Sequence, residues 1–215
     1  FKKRFKTYII KKNYASHLDE KRLLESKHRV IFEKTRELSI SKAENEKAEM
    51  LIFDDGLQEK RINYDLKIVC FNSLKLDGNG LIIPAGPLRE RLNSIKSYDA
   101  VLINGDYNKE SKNFINKITK INPNIKIFTG KYVPKNYSKL KKKKFIVFSG
   151  IGNPHTFSDT LKSLKIKFSG YEKFPDHYDY KYSDLQKLKS LAKNKNCELL
   201  TTEKDYFRIK KSFRK

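Results

Sequence analysis

The chain has 215 residues, with 48 Lys and Arg against 25 Asp and Glu and a formal net charge of +23. That length can bury a substantial core as one large or two small domains. No run of about 18 apolar residues occurs, so nothing in it spans a bilayer as a helix; no signal peptide is visible, and Cys70 and Cys197 lie far apart with no metal-ligand spacing. Cys70 falls in the apolar run Ile68–Phe71 and reads as a small core residue, and reduced thiols are expected. The positive charge has two readings. One is an anionic partner, a nucleic acid or a membrane surface. The other is the bias of an A/T-rich genome, since Lys, Asn, Ile, Tyr and Phe are abundant together. The chain opens at Phe1 and its only methionine is Met50, so the expectation is an N-terminally truncated piece of a longer protein.

In chain order, Thr7–Ile10 is β-branched and apolar and predicts a strand. Leu18–Glu25 predicts a helix with Asp19 and Glu20 near its start, where acids favour the helix dipole. Arg29–Phe32 predicts a short strand, and Ser39–Ala48 a helix capped by Ser39 or Ser41. Met50–Gln58 reads Met-Leu-Ile-Phe-Asp-Asp-Gly-Leu-Gln. Its apolar run suits a strand buried on both faces of a parallel sheet, delivering Asp54 and Asp55 to the carboxyl end, where open α/β sheets place ligands. Gly56 permits a sharp turn. Leu66–Phe71 predicts another buried strand, followed by Gly78-Asn79-Gly80 and the loop Pro84-Ala85-Gly86-Pro87-Leu88-Arg89-Glu90. Tyr98–Asn104 and Ile125–Phe128 predict strands flanking a helix over Lys109–Ile121.

The composition shifts near Pro134–Lys144, where Lys139 and Lys141–Lys144 form a basic run that reads as a solvated linker and marks a domain boundary. The alternation then resumes. Phe145–Phe148 predicts a strand, Ser149–Pro154 a strand-to-helix turn, and His155–Leu164 a helix with Pro154 in its first turn. Lys165–Gly170 predicts a strand, Ser183–Asn194 a helix capped by Ser183 or Asp184, and Glu198–Thr202 a strand ending in Thr202-Glu203-Lys204-Asp205. Strands alternating with helices make the expected class α/β, with a mainly parallel sheet.

Charged clusters after strands are the candidate chemistry. Asp54 and Asp55 have the form of a Walker B strand, which gives a carboxylate to nucleotide-bound Mg²⁺; a solvated Asp-Asp-Gly turn has the same pattern. Arg89 is bracketed by Pro and Gly and would clamp phosphate oxygens, with Glu90 able to share the metal; an Arg-Glu surface pair is the other reading. His177 beside Asp176 is either a proton shuttle or oriented base, or a structural loop histidine. The phosphate-loop pattern Gly-x-x-x-x-Gly-Lys-Ser/Thr does not occur in these residues. Gly150 and Gly152 follow a strand without that Lys-Ser/Thr.

Five motifs in order carry a resemblance: Asp54-Asp55-Gly56-Leu57-Gln58, Gly78-Asn79-Gly80, Pro84-Ala85-Gly86-Pro87-Leu88-Arg89-Glu90, Phe174-Pro175-Asp176-His177 and Thr202-Glu203-Lys204-Asp205. Together they resemble the tetraacyldisaccharide 4'-kinases, the lipid A 4'-kinases of Gram-negative bacteria. The resemblance implies a P-loop-kinase-like α/β fold of two lobes joined by a short linker. It places residues 1–133 in the N-terminal kinase lobe and 134–215 in the second lobe. It implies transfer of the ATP γ-phosphate to the 4'-hydroxyl of a tetraacylated glucosamine disaccharide 1-phosphate, with ATP and Mg²⁺ as cofactors, at the cytoplasmic face of the inner membrane. Asp54 and Asp55 would match the acids at the Mg-ATP site. Asp55 and Glu90 would hold the metal, while Arg89 and Gln58 would contact the nucleotide. Asp19, in His17-Leu18-Asp19-Glu20, would be the base for the sugar hydroxyl, and His177 would orient it. The 215 residues alone are expected to be inactive for want of the phosphate loop.

The chain departs from the family at three places. Glu59 stands where a histidine is usual, Tyr64 where an arginine is usual, and Leu18 where a glycine is usual. A negative Glu59 beside substrate phosphate is unfavourable, so either its side chain turns away or the substrate contacts differ. The rival readings are another P-loop phosphotransferase or ATPase, and a basic module for anionic lipid or RNA. No aromatic RNA-binding motif or zinc motif supports the latter, so no nucleic-acid partner is expected.

Overall fold

The computed structural model describes residues 4–12 and 18–214; of Leu18 and Asp19 only the backbone is described. Nine strands and seven α-helices occur among these residues, alternating except from Met50 to Asn104, where three strands follow one another with only a 3-10 helix, Leu92–Ser97, between the last two. The strands form three three-stranded sheets in which every pairing is parallel. Parallel neighbours need a crossover between them, which the intervening helices provide except between residues 72 and 100, where a long loop with one 3-10 helix does so. The chain divides into two compact units, residues 1–55 with 135–215, and residues 56–134.

In the first unit, β1 (Thr7–Lys12) lies between β2 (Val30–Glu33) and β3 (Met50–Phe53). The helices α1 (Leu18–Glu25) and α2 (Arg36–Asn45) connect them. Tyr8, Ile10, Ile31 and Ala43 form the buried centre, with Leu51 and Phe53 packed against it. The apolar run Met50–Phe53 predicts burial on both faces, but β3 pairs with β1 and Ile52 on its other face is 44 % exposed. An apolar run does not distinguish a strand covered on two faces from one covered on a single face. The helix before it starts earlier than Ser39. Thr35 is the cap, accepting from Leu38 N at 3.3 Å, while Ser39 is buried and donates back to the Thr35 carbonyl.

The same unit holds the sheet β8-β7-β9, made of β7 (Lys144–Ser149), β8 (Lys167–Lys173) and β9 (Glu198–Leu200). Its central strand is the one covered on both faces. Phe145 and Val147 meet Leu161 of α5 (Pro154–Ser163) and Ile166. Ile146 and Phe148 meet Leu185, Leu188 and Ala192 of α6 (Tyr182–Asn194). The strand period of two sends alternate residues to opposite sides. Asp184 does not cap α6 from outside; it sits in the first turn and accepts from Lys181 N at 2.9 Å. A short helix α4 (Tyr137–Lys141) precedes β7, and α7 (Glu203–Arg208) follows β9.

In the second unit β5 (Ala100–Asn104) is central between β4 (Ile68–Asn72) and β6 (Lys126–Gly130), and α3 (Lys109–Ile121) packs Phe114 and Ile118 onto Val101 and Ile103. Cys70 is exposed on β4, contrary to its expected place in the core. β4 alternates exposed and half-buried residues, and Cys70 falls on the outer phase.

Candidate active site

Parallel register brings the Asp-Asp turn to the end of β1. Ile10 pairs with Phe53 and its carbonyl accepts from Asp54 N at 2.9 Å. Lys11 and Asp54 therefore follow on adjacent strands, and Lys11 Nζ reaches Asp54 Oδ2 at 2.6 Å. Arg36, at the start of α2, donates to the backbone carbonyls of Asp54 and Asp55. Asp55 has φ +58°, a left-handed conformation that a short polar side chain tolerates better than most. Both acids are exposed at the strand end.

A chain of alternating charge runs on from there. Lys11 Nζ also pairs with Glu20 Oε2 on α1 at 3.0 Å, and Glu20 Oε1 accepts from Lys204 Nζ on α7 at 2.8 Å. Burial works against the charge on Glu20, but hydrogen bonds from Lys204 and Lys11 outweigh it and draw its pKa down to about 2. Burial likewise opposes the charge on Lys11, and its bonds to Asp54 and Glu20 prevail, leaving its pKa raised. Asp19 lies next to Glu20 on the α1 backbone; its side chain is outside the described residues, as is all of His17.

His177 occupies the loop between β8 and α6, with φ +58°. Its backbone N–H donates to Gly150 O at 3.1 Å and to Asp176 Oδ1 at 2.9 Å, and its ring Nε2 lies 3.9 Å from Asp176 Oδ1. Aromatic packing anchors both ends of this loop. Phe174 meets Tyr178 at 4.8 Å and Tyr180 at 5.1 Å between ring centroids, and Tyr180 meets Phe148 at 5.5 Å. Behind the loop is Asp205, which is fully buried. Its Oδ1 accepts from Gly150 N, the Tyr180 hydroxyl and Arg208 Nη1, each at 3.0 Å, and its Oδ2 accepts from Thr202 Oγ1 at 2.6 Å. Burial and the Asp205 charge push the Tyr180 pKa up, so its hydroxyl stays protonated as a donor.

In the second unit, two of the sequence motifs form one knot. Asn79 Nδ2 donates to Ala85 O at 2.8 Å and Asn79 Oδ1 accepts from Leu81 N at 3.1 Å. A Cβ on Gly86 would strike Asn79 Oδ1 and the Leu81 carbonyl, and one on Gly78 would come within 2.6 Å of Pro87. Leu88 is buried beneath, Arg89 is exposed, and Glu90 is half-buried, accepting from the Tyr98 hydroxyl at 2.7 Å. Gln58 is exposed in the turn after Gly56. Two departures from the family pattern are explained locally. Glu59 is bound by Arg61 in a two-pronged pair at 2.9 and 3.0 Å, so its charge is compensated. Tyr64 ties the turn back by donating to Gly56 O at 2.8 Å.

The sequence profile described as Tetraacyldisaccharide-1-P 4'-kinase matches residues 6–215. The chain belongs to this family. It is 46 % identical over 211 residues to the tetraacyldisaccharide 4'-kinase of Pelagibacter ubique (strain HTCC1062), covering 97 % of this chain and 66 % of that protein. It is 38 % identical over 164 residues to the tetraacyldisaccharide 4'-kinase of Rickettsia akari (strain Hartford), and 39 % over 165 residues to that of Rickettsia canadensis (strain McKiel). Each of the two Rickettsia alignments covers 76 % of this chain and 49 % of the relative, so the chain spans between about half and two-thirds of the relatives' length. No solved structure matches it.

Mg²⁺ takes one or two carboxylates and fills its remaining positions with water and phosphate oxygens. The adjacent, exposed Asp54 and Asp55 suit that donor set for a member of the 4'-kinase family. Among the described residues no group of three or more His, Cys, Asp and Glu forms a closed metal cage, and this ion needs none. The contacts join Asp54, Lys11, Glu20 and Lys204 in one network and tie His177 to Asp176 and Gly150. Sequence reasoning missed Lys11 and Arg36, and it marked Asp205 only as part of a motif, without its role as a hub. The parallel register of β1 and β3 would have found Lys11; the contacts of Arg36 and Asp205 come from packing.

Proposed function

We propose that the whole protein to which this chain belongs transfers the γ-phosphoryl group of ATP to the 4'-hydroxyl of a tetraacyldisaccharide 1-phosphate, a step of lipid A biosynthesis. The observation that carries this reading is the Asp54–Asp55 pair presented at the carboxyl end of β3, in a chain of this family. Asp55 and Glu90 would hold Mg²⁺, and Asp54 would be the other acid of the Mg-ATP site. Arg89 and Gln58 would contact the nucleotide. Bound with ATP, Mg²⁺ supplies neutralisation of the charge on the transferring group. Asp19 takes the proton of the sugar hydroxyl as its oxygen bonds to the γ-phosphorus and ADP leaves. His177 orients Asp19 and raises its basicity. In this reading residues 1–133 belong to the nucleotide lobe and 134–215 to the second.

The protein works at the cytoplasmic face of the inner membrane, and the +23 charge suits a surface of anionic lipid. No helix among the described residues is long and apolar enough to cross a membrane. The 215 residues by themselves are inactive in this account, because they contain no Gly-x-x-x-x-Gly-Lys-Ser/Thr. The test is an acceptor panel. The full-length protein should consume Mg-ATP only with a tetraacyldisaccharide 1-phosphate present. ATP turnover on other acceptors, or without one, would instead indicate a different phosphotransferase or an ATPase.

A further inference from the structure

The motif Thr202-Glu203-Lys204-Asp205 has no part in the chemistry above, yet its consecutive residues reach two separate elements that carry it. Glu203 pairs with Lys27, just past α1, at 2.6 Å. Lys204 pairs with Glu20, on α1 beside Asp19, at 2.8 Å. Asp205 turns the opposite way, into the interior. It holds Gly150 N, and its partner Arg208 donates to Gly150 O at 2.7 Å. That same carbonyl accepts the His177 backbone N–H. The loop is held closely here. A Cβ on Gly150 would come within 2.8 Å of Pro175 O, 3.1 Å of Tyr178 Cβ and 3.2 Å of Arg208 Nη1.

We propose that α7 is a brace that sets the Asp19 helix and the His177 loop in register with one another, with Lys204 and Asp205 as its two positioning residues. This rests on the reading of Asp19 as base and His177 as its partner. Neither Lys204 nor Asp205 touches reacting atoms. Lys204 fixes α1 through Glu20, and Asp205 fixes the histidine loop through Gly150 and Arg208. A six-residue helix bonded to each element holds the two groups as one preset pair. Asp205 is fully buried, and Arg208, Tyr180, Thr202 and Gly150 satisfy its carboxyl oxygens.

The test uses the full-length kinase with Lys204→Met and Asp205→Asn, each alone and combined with His177→Ala. Displacing paired groups by a fraction of an ångström to one ångström costs about 10- to 100-fold in rate, and that loss in kcat is expected for each single variant. The KM for ATP should stay within about twofold, because the nucleotide contacts are left intact. In the His177→Ala background the two variants should cost no more than about twofold further, because there is no longer a pair to align. Lys204→Arg should restore most of the loss. Wild-type kcat in both single variants, or losses that multiply with that of His177→Ala, would overturn the brace. His177→Ala with unchanged kcat would fail the underlying reading first, and the brace with it. If Asp205→Asn does not fold, Lys204→Met decides alone, since that side chain is already 27 % exposed.

Discussion

Glu20 is the residue where electrostatics can be tested most cleanly. Two lysines hold its pKa at about 2 in the folded chain, against about 4.3 for an unfolded glutamate. A carboxyl depressed in this way contributes stability above its unfolded pKa and loses it as pH falls through the folded one. The melting-temperature gap between wild type and Glu20→Gln should thus be constant from pH 8 to about 5 and close between about 4.5 and 2. A gap that instead changed near neutrality would contradict the assignment. The glycines of the second-unit knot give another residue-scale test. Gly86→Ala places a methyl against Asn79 and the Leu81 carbonyl and should cost about 1–3 kcal/mol in denaturant unfolding. Gly80→Ala meets no atom within 4 Å; only its φ of +76° is strained, so it should cost about 1–2 kcal/mol. The position of the acids just past the end of a strand was legible because an apolar run stops at Asp-Asp-Gly, a pattern that a solvated turn shares. Lys11 was not, because a lysine beside other lysines carries no local mark, and its meaning comes from pairing with a strand 43 residues away in sequence.

Among the elements, helices with a strong amphipathic pattern were read to their ends. Lys109–Ile121 matches the α3 observed, with Asn108 capping it by accepting from Ser111 N at 2.8 Å. Where two or more capping residues compete, the sequence was less clear. Ser39 and Ser41 looked like caps of α2, but Ser39 faces the core, and Thr35 does the capping. Thr35→Ala should therefore lower stability by about 1 kcal/mol, and Ser41→Ala, an exposed mid-helix change, by less than about 0.5 kcal/mol. Equal losses would contradict the assigned cap. The strand alternation was legible throughout. Which strand is covered on both faces was not, because β3 and β7 are both apolar, and only the packing of α5 and α6 on opposite faces of β7 separates them.

At the scale of the molecule, the sequence motifs that looked like five separate signatures fall into groups with physical reasons to co-occur. Gly78-Asn79-Gly80 and Pro84–Glu90 are one knot. Phe174–His177 and Thr202–Asp205 are one assembly around a buried carboxylate. The network from Lys204 through Glu20 and Lys11 to Asp54 adds the Asp-Asp turn to that assembly within the same unit. The phosphoryl transfer is read from its product. Full-length protein is given Mg-ATP labelled at the γ-phosphate and a tetraacyldisaccharide 1-phosphate in mixed micelles, beside an Asp54→Ala variant. A labelled bisphosphate with the label on the 4'-oxygen is expected, reduced at least about 100-fold by the variant. An unlabelled lipid with the wild-type protein, or full transfer by Asp54→Ala, would contradict it.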